Sequence, residues 1–187
     1  LHEQTRAQGV SLLVNAAGFG LFGDFCSTEL NRELEMIDVN IRAVHILTKL
    51  FLRDFMRQDA GRILNVASSA GFLAGPMLST YYASKNYVVR LSEAIYEELR
   101  AAGSHVTISC LCPGPVDTEF NASAGISKFS VKAMNSRRVA RIAVRQTLAG
   151  KLLIIPGIST KLGTTFSRLL PEKPLLRIVH GIQKGKQ

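Results

Sequence analysis

Short apolar runs alternate with longer amphipathic patterns along this chain. The apolar runs predict strands at 12–14, 63–66, 106–112 and 152–155, and the amphipathic patterns predict helices at 28–59, 79–101 and 136–150. Runs that are apolar on both faces and are separated by helices are typical of a parallel sheet covered on both sides. The pattern therefore predicts an α/β fold, a Rossmann-like parallel sheet with flanking helices.

The predicted helix 28–59 has one position that does not fit its apolar stripe. The stripe repeats at helical spacing and consists of Leu30, Leu34, Ile37, Ile41, Val44, Phe51 and Phe55. Asn40 lies beside Ile37, Ile41 and Val44 and interrupts the pattern. From the residues alone, a buried amide with satisfied hydrogen bonds is the favoured interpretation, and a functional role is the alternative.

The stretch from Gly61 to Lys85 holds three groups with complementary chemistry. Ser68 follows a predicted strand, and ligands of open α/β sheets bind at the carboxyl ends of the strands. Tyr81 and Lys85 are four residues apart, so they share one helical face. A nearby cation favours the phenolate and lowers the pKa of a tyrosine, which suits proton transfer to or from an alcohol.

This arrangement, with Ser68 thirteen residues before Tyr81 and a Tyr-x-x-x-Lys motif opening a helix, resembles the short-chain dehydrogenase/reductase family. The resemblance implies reversible hydride transfer between NADP or NAD, with NADP favoured, and a small alcohol/carbonyl substrate. It implies that Tyr81 protonates the new alkoxide, that Ser68 orients the carbonyl and that Lys85 also binds the nicotinamide ribose. A surface tyrosine with a solvated lysine is the alternative, because the short motif often arises by chance.

Further segments carry the same resemblance. Asn15-Ala16-Ala17-Gly18 is similar to the family's Asn-Asn-Ala-Gly motif, with Ala16 in place of the second asparagine. Asn15 ends a predicted strand, and we expect its amide to link adjacent strands. Asp38-Val39-Asn40 matches the family's helix asparagine, which implies that Asn40 holds a water linking Lys85 to solvent. The rigid turn after the third strand matches the family's turn against the nicotinamide. The implied cofactor-binding residues are Asn15, Ala16, Gly18, Tyr81, Lys85, Pro113, Gly114, Val116 and Thr118.

The segment 119–135 is small, polar and aperiodic, which predicts a loop. Its position after the turn makes it the expected substrate lid. The apolar residues that it could fold over a ligand are Phe120, Ile126, Phe129 and Met134. No distinctive set of polar side chains in this loop identifies the substrate.

Charge divides the 187-residue chain unevenly. Residues 1–120 carry 10 Lys/Arg and 13 Asp/Glu, a net charge of −3, whereas residues 121–187 carry 13 Lys/Arg and one acid, a net charge of +12. We divide the chain into a catalytic portion, 1–157, and a basic amphipathic tail, 158–187, which Pro171 and Pro174 split into two pieces. Docking of the tail on the parent domain or on a partner subunit is favoured, and peripheral contact with an anionic membrane is the alternative.

Other features restrict the class of protein. We expect a cytoplasmic protein, with membrane association as the alternative, because no apolar run approaches 18 residues and nothing resembles a signal peptide. No nucleic-acid partner is expected, and no His/Cys/carboxylate cluster has metal-site spacing. We interpret Cys110 and Cys112 as small apolar residues that are buried in the core. A serine-hydrolase function is excluded, because Ser68 lacks a G-x-S-x-G turn.

The family's Gly-rich phosphate-binding turn is missing from this sequence. We therefore expect a longer polypeptide that extends at the amino end, and weak cofactor binding if the 187 residues act alone. A truncated, non-catalytic dimerisation or scaffold module is the alternative function. The resemblance also implies a homodimer or homotetramer built from helices 28–59 and 80–101, and we expect Leu47, Leu52, Val89 and Tyr96 to add apolar surface there.

Overall fold

Four parallel strands form the central sheet in the computed structural model, which describes residues 1–5, 8–120, 124, 133–167 and 169–185. The strands in chain order are β1 (Leu12–Asn15), β2 (Arg62–Val66), β3 (Thr107–Leu111), β4 (Val116–Asp117), β5 (Met134–Asn135) and β6 (Leu153–Ile154). The central sheet has the order β1-β2-β3-β6, and β4 and β5 form a second, two-stranded parallel sheet. This architecture confirms the predicted α/β fold with a parallel sheet and flanking helices.

Helices cover both faces of the central sheet. The helices in the described part of the chain are α1 (His2–Thr5), α2 (Leu30–Ile37), α3 (Val44–Gln58), α4 (Ser79–Ala101), α5 (Ser136–Leu148), α6 (Ile158–Phe166) and α7 (Glu172–Lys184), and α3, α4 and α5 are the ones that contact the sheet. Successive side chains of a strand point to opposite faces. Accordingly, Ile63 of β2 packs in one core cluster with residues of α3 and α4, whereas Leu64 packs in another with residues of α5.

The predicted helix 28–59 is continuous but not uniform. A π-helical segment, Asp38–Ala43, separates α2 from α3. Hydrogen bonds from residue i to residue i+5 widen the turn and bring residues four apart into line, so Met36 and Asn40 face inward with Val44. The assignment of Leu30 and Leu34 to the buried stripe was wrong, because this wider turn leaves both exposed.

Two other packing expectations were wrong. Val89 cannot add to an interface surface, because its side chain is fully buried and would lie 2.5 Å from a Cβ added at Gly71. Met134 is not a lid residue, because it forms β5 and packs against the core cluster beneath α5. Two further candidates for the lid, Ile126 and Phe129, lie outside the described residues.

The tail forms two helices, α6 and α7. Helix α6 ends at Phe166 and α7 begins at Glu172. Pro174 lies within the first turn of α7, where a proline costs no intrahelical hydrogen bond. In α7 Val179 and Gln183 are buried, and Gln183 Nε2 donates a hydrogen bond of 2.6 Å to the Tyr82 hydroxyl. One side of α7 thus packs on the rest of the chain. In the described part of the chain, no helix has the length and hydrophobicity that crossing a bilayer requires.

Candidate active site

Ser68 and Tyr81 meet at the carboxyl end of β2. Ser68 has extended backbone angles and caps a 3₁₀ turn, Ser69–Phe72, where its Oγ accepts a hydrogen bond of 3.1 Å from the Ala70 amide. Tyr81 lies in the first turn of α4, and its phenol lies near the Ser68 side chain. The two predicted groups therefore face the same end of the sheet.

Lys85 lies one helical turn beyond Tyr81 and is almost completely buried. Its Nζ donates a hydrogen bond of 3.1 Å to the Val66 carbonyl and is 5.7 Å from the centre of the Tyr81 ring. Burial lowers the pKa of Lys85 to about 8, because a low-dielectric surrounding disfavours the ammonium form. The three predicted groups thus converge at one end of the sheet.

The pKa of Tyr81 differs from the sequence-based expectation. Burial raises it to about 12, and the nearby Ser68 hydroxyl opposes this shift. We expected Lys85 to lower this pKa, and this expectation was wrong. Desolvation dominates, because Tyr81 is only 8% exposed, and the Lys85 ammonium binds the Val66 carbonyl instead. The phenol is therefore protonated at neutral pH.

Asn40 is fully buried in the π-helical segment and connects three parts of the site. Its Oδ1 accepts from the Phe19 amide at 3.1 Å, and its Nδ2 donates to the Phe19 carbonyl at 2.9 Å and to Ser84 Oγ at 3.1 Å. A Cβ added at Gly18 would lie 2.8 Å from Asn40 Oδ1 and 3.2 Å from Lys85 Nζ. Asn40 and Lys85 thus flank Gly18. The relay water on Asn40 stays a prediction.

Asn15 belongs to a buried polar network behind the site. Its Nδ2 donates to Asn65 Oδ1 at 2.8 Å and to Thr48 Oγ1 at 3.1 Å, and Asn65 Nδ2 donates to Ser92 Oγ at 3.0 Å. The network joins β1 and β2 to α3 and α4 and confirms that the Asn15 amide links adjacent strands. Sequence reasoning missed Thr48, Asn65 and Ser92. In each case, a polar residue at an otherwise apolar position of its strand or helix was the sequence signal that could have identified it.

The turn after β3 lies beside Ser68. The Ser69 amide donates to the Pro113 carbonyl at 2.8 Å, and a Cβ on Gly114 would lie 2.7 Å from Thr160 Oγ1 of α6. Val116 forms β4, and its side chain packs against the core cluster beneath α5. Thr118 is exposed, and its Oγ1 accepts from the Phe120 amide at 3.4 Å. Pro113 and Gly114 are thus next to the proposed reacting groups, and Thr118 is at the surface.

Apolar residues enclose the Tyr81 ring. Phe120 contacts it with a centroid separation of 5.2 Å, and a Cβ on Gly20 would lie 2.9 Å from Phe120 and 3.4 Å from Tyr81. The Phe22 amide also donates to the Ala124 carbonyl at 3.0 Å, so the segment after β1 meets the segment after Thr118. Phe120 therefore packs on the Tyr81 ring, and its role as a cover over a ligand stays a prediction.

Comparison with known proteins identifies the family. A family model described as short chain dehydrogenase matches residues 2–128, more than half of the chain. The chain belongs to the short-chain dehydrogenase family. It is 33% identical over 176 residues to estradiol 17-beta-dehydrogenase 11 of Mus musculus, covering 92% of this chain and 58% of that protein. The chain thus spans little more than half the length of this curated relative.

Solved short-chain dehydrogenase structures share the fold. One from Burkholderia phymatum in complex with NAD has a TM-score of 0.77 and 25% identity, over 88% of this chain and 68% of the other. A short-chain dehydrogenase from Sphingobium yanoikuyae in complex with NADPH has a TM-score of 0.74 and 24% identity, over 85% and 63%. Both nicotinamide cofactors therefore occur among similar structures.

The residues present fit the nicotinamide end of such a cofactor, judged by their donors and their backbone. The Lys85 ammonium has three N–H donors and uses one on the Val66 carbonyl, so two are available for ribose hydroxyls. Ala16 and Gly18 are exposed small residues and Gly18 lies beside Lys85, which allows close backbone approach. Pro113 and Gly114 lie beside the end of β2. These are the groups that would hold the cofactor in this short-chain dehydrogenase.

Proposed function

We propose that this chain carries the catalytic groups of an oxidoreductase that interconverts an alcohol and its carbonyl compound. The observation that carries the proposal is the proximity of Ser68 and Tyr81 at the carboxyl end of β2, with buried Lys85 one helical turn away. Membership of the short-chain dehydrogenase family supports an oxidoreductase over a non-catalytic module. When bound, the nicotinamide cofactor donates or accepts the hydride.

Tyr81 is the acid in the reductive direction. Because burial raises its pKa to about 12, the phenol keeps its proton at neutral pH and donates it to the carbonyl oxygen as that oxygen gains negative charge. Ser68 holds the same oxygen by a hydrogen bond, since its hydroxyl lies near the phenol. The two hydroxyls thereby fix the carbonyl in one orientation.

Lys85 acts on the phenolate that remains after proton transfer. Its ammonium stabilises the negative charge through the low-dielectric interior, where Coulomb attraction is less screened than in water. With a pKa of about 8, Lys85 remains mostly protonated at neutral pH. A water held near Asn40 and Gly18 would return a proton through Lys85 to Tyr81, and the proximity of Asn40 and Lys85 to Gly18 supports this route.

We propose an apolar alcohol or ketone as substrate. Partly buried apolar side chains pack around Tyr81, and they are Phe19, Leu21, Phe22, Tyr82 and Phe120. Such a surrounding favours apolar ligands, with the two hydroxyls as the polar contacts. The name of the mouse relative, an estradiol dehydrogenase, is consistent with this class. NADP and NAD are both retained as cofactors, with NADP favoured.

The test compares two adjacent tyrosines in the protein that carries this chain. Tyr81→Phe keeps the ring and removes the proton, so kcat for ketone reduction should fall about 10²–10⁴-fold. Tyr82→Phe removes a hydroxyl that binds Gln183 instead, and its kcat should stay near that of the wild type. The measurement is loss of NADPH or NADH absorbance with estrone and with smaller apolar ketones.

Two outcomes would contradict the proposal. If Tyr81→Phe reduces a ketone as fast as the Tyr82→Phe control, Tyr81 is not the acid. If the wild-type protein quenches no NADPH or NADH fluorescence and turns over none of these ketones, the non-catalytic alternative gains support. A folded state confirmed by circular dichroism keeps both results interpretable.

A further inference from the structure

Helix α6 has its apolar side on the outside. Its polar residue Thr164 is 6% exposed, and Ser167 directly after the helix is 9% exposed. In contrast, Ile158, Leu162 and Phe166 are 81%, 51% and 60% exposed. These three residues are spaced by four, so they form one stripe along the helix. A helix that covers a core normally has the opposite arrangement.

Exposed apolar residues also follow α6 along the chain. Leu169 and Leu170 follow the helix and are exposed, and Ile178 and Ile182 are exposed on α7. Scattered exposed apolar residues are ordinary, but a stripe continued by neighbouring residues indicates a surface that contacts something. We call the exposed residues Ile158, Leu162, Phe166, Leu169 and Leu170 the α6 apolar stripe.

Positive charge accompanies the stripe. Lys161 is exposed within α6, and Lys173 and Arg177 are exposed in α7. None of these three forms an ion pair with another described residue. Glu172 is the one acid among residues 121–187, which carry 13 Lys/Arg. Cations around exposed apolar side chains match an anionic, apolar partner.

We infer that the α6 apolar stripe binds an anionic membrane surface, inserting its apolar side chains between lipids while Lys161, Lys173 and Arg177 meet lipid phosphates and carboxylates. Apolar burial and attraction to anionic headgroups are the two sources of such binding. A second copy of this chain is disfavoured as the partner, because it would bring a second region of net charge +12 against the first. Nucleic acid would leave the apolar stripe without a partner.

The location of α6 gives this surface a consequence for the site. The inner side of α6 contacts the turn after β3, where a Cβ on Gly114 would lie 2.7 Å from Thr160 Oγ1. A membrane bound on the outer side would therefore lie close to the end of the sheet that carries Ser68 and Tyr81. Apolar compounds dissolved in the membrane would reach the site over a short path. The binding itself does not depend on the proposed catalytic function.

The test is sedimentation of the purified protein that carries this chain with vesicles. Vesicles of phosphatidylcholine with about 30% phosphatidylserine should bind the chain, and pure phosphatidylcholine should bind it at least about tenfold more weakly. Raising the ionic strength from about 0.1 M to about 1 M should weaken binding, since it shortens the Debye length from about 10 Å to about 3 Å.

A matched pair of variants assigns the binding to the stripe. Phe166→Ser should lower the partition coefficient on anionic vesicles about tenfold or more, because it removes a large apolar side chain from the membrane. Phe25→Ser is the control. The exposed fraction of Phe25, 65%, is similar to that of Phe166, but Phe25 lies before α2 and outside the α6 apolar stripe. Both residues are exposed, so folding should be unaffected, which thermal melting checks. Lys161→Glu should also weaken binding.

Three results would overturn the inference. The wild-type chain would fail to sediment with anionic vesicles, or Phe25→Ser and Phe166→Ser would lose binding equally. Alternatively, analytical ultracentrifugation would show a dimer that Phe166→Ser dissociates, which would make the stripe a contact between copies. Vesicle binding is read without any turnover, so its failure is distinguishable from failure of the proposed reaction.

Discussion

The side-chain amide of Asn40 pairs with both backbone groups of Phe19. Asn40 Oδ1 accepts from the Phe19 N–H at 3.1 Å, and Asn40 Nδ2 donates to the Phe19 carbonyl at 2.9 Å. The Asn40 side chain thus provides the backbone of the segment after β1 with the pair of hydrogen bonds that a neighbouring strand would otherwise provide. The other Nδ2 proton goes to Ser84 Oγ, whose own proton goes to the Tyr81 carbonyl. Asn40 therefore connects the segment that follows β1 to the helix turn that carries Tyr81.

Replacing Asn40 should disturb both stability and catalysis. Asn40→Ala should lower the free energy of unfolding by about 2–4 kcal/mol, because it leaves several partly buried polar groups unpaired. It should also lower kcat, since Phe19 and Gly18 lose their anchor. Ser84→Ala removes one of the three contacts and should cost about 1 kcal/mol. Urea unfolding of the two variants measures the difference, and equal losses would contradict the role of the Phe19 pairing.

Gly18 should not tolerate a larger side chain. In Gly18→Ala the new methyl group would lie 2.8 Å from Asn40 Oδ1 and 3.2 Å from Lys85 Nζ, so one of these groups must shift. We expect kcat for ketone reduction to fall about 10- to 100-fold, as small misplacements in a site do. Gly163→Ala is the control, because nothing lies within 4 Å of its added Cβ in α6. Unchanged turnover in Gly18→Ala would refute the packing of this position.

Lys85 should make stability depend on pH in a defined direction. Its pKa is about 8 in the folded chain and 10.5 ordinarily, so between these values the unfolded chain binds more protons. The contribution of Lys85 to the free energy of unfolding therefore rises with pH across that interval, by up to about 3 kcal/mol. At pH 7 the lysine is charged in both states, and the full cost of its burial is present.

The variant Lys85→Met isolates this effect. The difference in unfolding free energy, wild type minus Lys85→Met, should increase between pH 8 and pH 10. The test is the slope of this difference against pH and not its absolute value. The variant also leaves the Val66 carbonyl without its hydrogen bond from Lys85, which changes the absolute value. Above pH 10 Tyr81 acts oppositely, since its raised pKa of about 12 means that the unfolded chain loses that proton first. A flat or falling difference below pH 10 would exclude a lowered pKa for Lys85.

We expect a homodimer through the outer faces of α3 and α4, or a tetramer that contains it. On this surface Ile46 is 44% exposed, and His45 Nδ1 lies 2.6 Å from the Tyr87 hydroxyl, joining the two helices. Ile46→Arg should therefore shift the chain toward monomer in sedimentation equilibrium, because a charge would be buried at the contact. Val144→Arg on α5 is the control, with 46% exposure of Val144 on the other side of the sheet. A monomeric wild type at micromolar concentration would count against the dimer.

Much of the fold and of the site followed from local sequence patterns. The apolar runs predicted β1, β2, β3 and β6 within a residue or two, because short apolar runs bounded by turn residues are typical of strands in a parallel sheet. The expectation that β1 is buried on both faces was wrong, since Val14 is 46% exposed. Ser68, Tyr81 and Lys85 were predictable as a group, because strand ends and helical spacing fix their relative positions. The Asn15 contact between strands was predictable for the same reason. These features depend on short stretches of chain.

Other features required the tertiary structure. The π-helical turn at Asn40 depends on packing against Phe19 and Ser84, distant in sequence, and no periodicity of 28–59 encodes it. The direction of the Tyr81 pKa shift was set by how completely Phe120 and Gly20 enclose the ring, which the Tyr-Lys spacing does not specify. The outward apolar side of α6 likewise appeared only once Thr164 was found inside. Sequence spacing determines which groups can meet, whereas desolvation and packing among distant segments decide their charge state and their exposure.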